Sequence, residues 1–525
     1  ITFMSITDQV PEKPLKTRIV CINPNLVLQR NDLFTTGIVF MPFGLAYFAG
    51  TLQTEGYNCE VVDAFGENPN QIWNEGNFIF RGIQPSEIVS NVNSKSDEPP
   101  QVFFVYAINL TYHRSTLSII QKLRHSFPSV PIAVLENTQS VTAYALENIQ
   151  HEFYDAGATY VVMGEPEERG ILLIKHILSQ GKDELLLKVD GIGFRKDGET
   201  MHTPAVKKIE NLDSLAFAAW ELFPVQNYWK LKYAHGPLTA NQYLPILTSR
   251  GCPYACRFCV IPETNNLKWR SRSAIDVVDE MEYWLKKWNI KEFHIEDVDP
   301  TISDKRTQEI CLEIIRRNLL IRWKICSGTK VETIKSEKTI ELMAQSGCRY
   351  ISISPESGSS KVMRLINKPF NYQHAVKLIG KMNEVGIFTQ ACFVLGFPGE
   401  EDEDRKLTRK MVFDLAKAGV SEIALFIVTP VPGSDIFEEF SGYTDYSQLN
   451  FSPTWRQDYN EINQFRMKLY AEFLWWKLRF HPLPILKQPL NFLFRKFNTK
   501  MEMTPYRALH TMLMLKGIIG KRVQL

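Results

Sequence analysis

The stretch TSRGCPYACRFCVIP, running from Thr248 to Pro262, puts cysteines at positions 252, 256 and 259. A single turn can aim several thiolates at one centre, and thiolates are soft metal ligands. The spacing is C-x3-C-x2-C, with no second CxxC pair and no HxxxH pair elsewhere in the chain. A structural zinc site needs a fourth ligand and normally draws on two separated pairs. Three thiolates instead suit a four-iron cluster with one iron left open to another ligand. Gly251 and Pro253 let the loop turn tightly, and Phe258 can cover one face of the centre. Disulfides are the third alternative, but nine cysteines in 525 residues do not make a secreted disulfide scaffold. The other six (Cys21, Cys59, Cys311, Cys326, Cys348 and Cys392) sit in apolar or strand-like segments and read as small buried hydrophobes.

The cysteine loop follows the first of six strand-then-helix units, whose strands are LPILTS, KEFHIED, RWKICSG, RYISISP, FTQACFVLG and EIALFIVTP. Six units are too few for a closed eight-fold barrel. The expectation is an open, partial (β/α)6 barrel over residues 241–445, with its site at the carboxyl ends of the strands. Upstream, TRIVCIN, NCEVVDAFG, QVFFVYAIN, PIAVLEN and TYVVMGE alternate with helical patterns. Such runs predict an α/β, doubly wound, Rossmann-like domain over residues 1–176, with ligands at the carboxyl ends of its strands. The loops to watch there are Asn23–Gly44, Asn109–Ser115, Glu136–Val141 and Gly164–Glu168. Residues 177–240 read as a connector that includes a hairpin turning at Asp197-Gly198. Residues 446–525 form a small, mostly helical C-terminal segment.

A hydrophobic content of 44% against 22% charged residues is that of a globular protein with real cores. The net charge of +2 gives no general affinity for nucleic acid, so none is expected. No run reaches the roughly 18 apolar residues that span a bilayer. ITFMSITDQVPEKPLKTR has no basic flank followed by an apolar signal core, and a reducing cytoplasm is the expected location. From Phe465 onward, however, twelve Lys and Arg face only Glu472 and Glu502, with Trp and Phe interleaved. One reading is a cap packed on the barrel mouth. The other is a basic surface touching anionic lipid or gripping an amphiphilic substrate, with possible membrane association. Pro482, Pro484 and Pro489 break the segment into short pieces.

The motif RGCPYACRFC resembles that of radical S-adenosylmethionine (SAM) enzymes, including the aromatic residue before the last cysteine. The resemblance runs from about residue 243 to 435. It implies a [4Fe-4S] cluster on Cys252, Cys256 and Cys259, whose open iron chelates SAM. Reductive cleavage of SAM then yields a 5′-deoxyadenosyl radical. It also implies SAM contacts from Phe258, from Glu296 and Asp297 in HIEDVDP, from Glu356 and Ser357 in SISPESGS, and from Gly396 in FVLGFPGE. TPVPGS at 429–434 resembles the segment that closes the sixth strand.

With a doubly wound domain ahead of it, the chain resembles the cobalamin-dependent branch of that family. MPFGLAYFAGTLQTEGYNCEVVDAFGE and YVVMGEPEE match the branch's opening and closing segments. The implied cobalamin contacts are Asn109, Thr111, Tyr112, Glu136, Asn137, Thr138, Gln139, Gly164 and Glu165. The D-x-H-x-x-G motif that donates histidine to cobalt is absent. The usual Gly-Gly turn after the fourth strand is replaced by LENTQSVT, whose polar side chains could bond the corrin amides instead. His113, alone on a nearby loop, reads as a solvated residue. The function implied is methyl transfer to an unactivated carbon, with one electron from a donor such as flavodoxin or ferredoxin and a small or amphiphilic organic substrate. The alternative is a cyclase, oxidase or rearrangement catalyst of the same branch. A third class, less favoured, is a non-catalytic iron–sulfur or corrinoid-binding protein. No residue is singled out as a catalytic acid or base.

Overall fold

RIVCIN and VFFVYA are apolar nearly throughout, the composition of strands covered on both faces, and both are buried along their whole length. The computed structural model describes residues 17–523; the leading ITFMSITDQVPEKPLK lies outside them. Its first sheet comprises β1 (Arg18–Asn23), β2 (Asn58–Asp63), β3 (Val102–Ala107), β4 (Ile132–Glu136), β5 (Tyr160–Val162), β6 (Ile192–Lys196) and β7 (Glu199–His202). The order is β7-β6-β5-β4-β3-β1-β2. β1 to β5 are parallel, and the hairpin β6–β7 adds antiparallel onto β5. That hairpin, read from the sequence as connector, covers an edge that would otherwise offer unpaired backbone groups. β1 lies between β2 and β3, so the chain reverses its winding there. The crevice at such a point, past the carboxyl ends of the strands, is where a doubly wound sheet receives a ligand.

The second sheet comprises β8 (Leu244–Ile246), β9 (Glu292–Ile295), β10 (Arg322–Thr329), β11 (Cys348–Glu356), β12 (Phe388–Leu395) and β13 (Glu422–Ile427), parallel and in chain order. This is the expected open six-stranded barrel. Side chains of a strand alternate between faces, and one face here is polar: Glu292, His294, Lys324, Tyr350, Gln390 and Glu422 are all buried. They satisfy one another across the strands. Lys324 lies 2.8 Å from Glu292, Tyr350 donates to Glu422 at 2.7 Å, and Gln390 donates to Glu422 at 3.2 Å.

Three C-terminal helices follow: α1 (Tyr459–Phe480), α2 (Pro482–Phe494) and α3 (Lys500–Leu515). The break expected from the prolines falls at His481, where Pro482 starts a new helix at a position needing no N–H partner. Pro489 lies inside α2. Trp476 of α1 packs edge-on against Phe413 of the barrel's last helix, 5.1 Å between centroids. The N-terminus of α3 delivers the Lys500 N–H to Glu422 at 3.0 Å, tying the segment to the barrel's last strand. Lys521–Arg522 then pairs with Gln71–Glu75 in a small four-stranded sheet on the first domain. Among the described residues no helix is long and apolar enough to cross a membrane.

Buried ion pairs join the two domains. Glu165, just past β5, bonds both guanidinium nitrogens of Arg270, at 2.9 and 2.7 Å, and accepts the Ile209 N–H at 2.8 Å. Its neighbour Glu167 holds Arg250, at 2.6 Å.

Candidate active site

The cysteine loop turns at Gly251, whose φ is +80°. A Cβ there would lie 2.0 Å from the Lys268 carbonyl oxygen, so the approach requires glycine. Asp297 anchors the loop's start: it accepts the Thr248 N–H at 2.7 Å and the Thr248 and Ser249 hydroxyls at 2.6 Å each. Asn367 holds the Ala255 carbonyl at 2.8 Å. Burial pushes the thiols up, Cys252 to about 12, Cys256 above its usual value and Cys259 further still. Binding a metal releases the proton of each ligating thiol. Among the described residues the three sulfurs are not gathered within 4.8 Å of one another. A single tetrahedral ion would draw them that close, so the spread fits a cluster better than a lone zinc.

All three cysteines line a cavity of about 290 Å³ where the carboxyl ends of the two sheets meet. Phe258 also lines it, packed against Phe397 at 5.3 Å between centroids. Glu356 lines it with φ +60° and ion-pairs with Lys368. Burial disfavours the Lys368 ammonium, but Glu356 and the nearby cysteines hold its pKa above the ordinary lysine value. Glu296 reaches the cavity and lies 2.6 Å from His235 Nδ1. The remaining SAM candidates stand back from the lining. Asp297 serves the loop as described, and Ser357 is buried against the Thr408 hydroxyl at 3.1 Å. Gly396 turns at φ +79° with its carbonyl on Arg456.

Of the cobalamin candidates, Asn109, Asn137 and Gln139 line the same cavity from the first domain. Asn137 donates to the Ile108 carbonyl at 2.6 Å and accepts the Gln139 N–H at 3.0 Å. Asn109 accepts from the Thr111 N–H and hydroxyl. Thr111, Tyr112, Thr138 and Gly164 lie outside the lining, and so do Glu136 and Glu165. Glu136 is occupied by the Leu146 and Gly164 N–H groups, and Glu165 by Arg270. His113, expected in solvent, is 1% exposed. It lies 2.7 Å from Glu152, among the rings of Tyr144, Phe153 and Tyr446.

Sequence reading passed over His235, Lys330, Lys368 and Lys500, which line the cavity. Cys326 and Cys392 are buried as expected, yet they face this cavity rather than the apolar core. A signal was present for the cysteines. Lys324–Cys326 and Gln390–Cys392 continue the two-residue polar period of the barrel lumen. Lys500 carried no such signal, since a different segment brings it in.

Residues 246–412 match the model of the Radical SAM superfamily. The cytidylyl-2-hydroxyethylphosphonate methyltransferase of Streptomyces wedmorensis is 25% identical over 511 residues, covering 88% of this chain and 91% of that protein. The anaerobic magnesium-protoporphyrin IX monomethyl ester cyclase of Rubrivivax gelatinosus is 30% identical over 271 residues, covering 50% of this chain and 46% of that protein. Among solved structures, the radical SAM methyltransferase TsrM of Kitasatospora setae, with cobalamin and a [4Fe-4S] cluster bound, aligns at a TM-score of 0.59. The identity there is 16%, over 81% of this chain and 77% of that one. A radical SAM domain uses SAM and a [4Fe-4S] cluster, and the donor set at 252, 256 and 259 fits that cluster.

Proposed function

The chain carries a radical SAM domain on a fold shared with a radical SAM methyltransferase solved with cobalamin bound, and from that premise we propose that it methylates an unactivated carbon of a small organic substrate. One observation carries this reading: a single cavity is bounded by the cysteine loop of the barrel and by Asn109, Asn137 and Gln139 of the first domain. When bound, the cluster with SAM supplies a hydrogen-abstracting radical and cobalamin supplies the methyl group. Cys252, Cys256 and Cys259 hold the cluster. The Glu356–Lys368 pair presents one charge of each sign to the amino acid end of SAM. Phe258 and Phe397 wall off that side from water, which protects a reactive intermediate. Asn137 and Gln139 take the place of the missing Gly-Gly turn, and with Asn109 they offer amides to a corrin. The single electron comes from a flavodoxin or ferredoxin.

The test needs no substrate. Full-length protein loaded with cluster and hydroxocobalamin, given SAM and a chemical reductant, is expected to release both S-adenosylhomocysteine and 5′-deoxyadenosine. Release of 5′-deoxyadenosine alone would overturn methyl transfer. It would favour the cyclase or oxidase reading, which the similarity to the protoporphyrin ester cyclase supports.

A second surface bears on where the protein works. α2 contains no buried residue, and it exposes Leu483, Leu486, Leu490 and Leu493, each by more than half. Their spacing makes one apolar stripe, flanked by exposed Arg479, Lys487, Arg495 and Lys496, with no acid between Glu472 and Glu502. We propose that this face rests on an anionic lipid surface. Wild type should sediment with phosphatidylserine-containing vesicles, and a Leu486→Gln, Leu490→Gln, Leu493→Gln variant should stay in the supernatant. Equal supernatant fractions would remove the idea.

A further inference from the structure

Beside the cavity, β9 and β10 carry a second set of metal-type donors. A ring nitrogen of His294, a Glu296 carboxylate oxygen and Cys326 Sγ lie within 4.8 Å of one another, and all three residues are buried. The parallel register opposes His294 to Lys324 and so sets Glu296 level with Cys326. His294 Nδ1 has no hydrogen-bond partner, an expensive state for a fully buried ring nitrogen.

The ring's other side explains how that nitrogen is prepared. His294 Nε2 lies 3.1 Å from Glu292. Glu292 also accepts from the Lys324 ammonium at 2.8 Å. In the tautomer that donates its Nε2–H to Glu292, Nδ1 carries a bare lone pair. A carboxylate behind a histidine is the common second shell of a metal-ligating imidazole. Gly236 clears the space in front: a Cβ there would come within 2.3 Å of the Cys326 sulfur and 2.8 Å of His294 Nδ1. His235 Nδ1, 2.6 Å from Glu296, orients the carboxylate.

We infer that His294, Glu296 and Cys326 bind one zinc-class divalent ion, with a coordination position open to the cavity that Glu296 and Cys326 line. Mixed nitrogen, oxygen and sulfur donors suit zinc, whereas magnesium and calcium favour oxygen alone. Three protein ligands and one open position are the pattern of zinc sites that bind a reacting molecule. The open position takes an oxygen or nitrogen of the substrate; that clause alone rests on the proposed methyl transfer. The assignment removes Glu296 from the SAM contacts expected from the sequence.

The test uses full-length protein with its cluster reconstituted, so that the loop cysteines are already occupied, then incubated with zinc sulfate and desalted. Metal analysis should find about one zinc per chain beyond the cluster iron, and zinc-edge X-ray absorption should show one sulfur among nitrogen and oxygen ligands. His294→Ala and Cys326→Ser should each lower zinc affinity by about tenfold or more while the iron content stays constant. Wild type retaining no more zinc than His294→Ala would overturn the site. So would Cys326→Ser losing iron together with zinc. If His294→Ala does not fold, the near-isosteric Cys326→Ser decides. Zinc retained without release of S-adenosylhomocysteine would count against methyl transfer and leave the metal site standing.

Discussion

Replacing Cys256 with alanine is expected to abolish the cluster's visible absorbance and to cut 5′-deoxyadenosine formation by roughly a thousandfold or more, because groups acting as a unit fail together. The loss should be chemical rather than structural. Gly251, Asp297 and Asn367 shape the cysteine loop, and none of their bonds uses the Cys256 thiol. Cys256 is also only partly buried, so little apolar packing disappears with its sulfur. The unfolding midpoint should therefore stay close to wild type, and added hydroxocobalamin should still bind the first domain. Iron analysis, the visible spectrum and chromatography of the nucleoside product check the three parts together. Undiminished 5′-deoxyadenosine would sink the radical SAM assignment for this loop.

The order of strands and the cysteine loop were legible because both depend on neighbours in sequence. RIVCIN and VFFVYA are buried by composition wherever they pair, and C-x3-C-x2-C lies within eight residues. What a polar side chain faces was harder to read. Glu136 and Glu165 stand at the strand ends where a corrin ligand would be sought, but local N–H groups and arginines from the barrel use up their oxygens. Asn137 and Gln139, from the same loop as Glu136, do reach the cavity, and no feature of LENTQSVT separates them from it. Lys500 comes within 3.3 Å of His235 across 265 residues of chain, a contact that only the docking of α3 creates. His113 illustrates the opposite error: the loop histidine that looked solvated is covered by Tyr446, far along the chain. Local pattern sets which elements form, and long-range closure decides which of their polar groups remain free.

Glu165→Ala is expected to destabilise the docking of the two domains by about 3–5 kcal/mol, the cost of removing one partner from a buried ion pair. The Glu165 side chain is 0% exposed and that of Arg270 is 6% exposed. Without the carboxylate, Arg270 keeps only the Ile209 carbonyl at 2.7 Å, which leaves a buried charge uncompensated. Arg250 loses less, because Glu167 still holds it. A Glu165→Ala, Arg270→Met double variant should therefore cost less than the two single changes added together. The pH dependence follows from the same pair. Burial works against the Glu165 carboxylate, yet Arg250 and Arg270 hold it below its ordinary value. Its folded-state pKa thus lies below the unfolded one of about 4.3. The contribution is complete above the unfolded value and is lost as pH falls through the lower folded value, so Glu165→Ala should flatten the acid limb of the stability curve. Thermal unfolding followed from pH 3 to 7 measures this, with hydroxocobalamin affinity determined in parallel. A variant that keeps its unfolding midpoint but loses cobalamin would return Glu165 to the role of a ligand contact. A fallen midpoint with cobalamin affinity unchanged in the folded fraction would make it a bridge between domains.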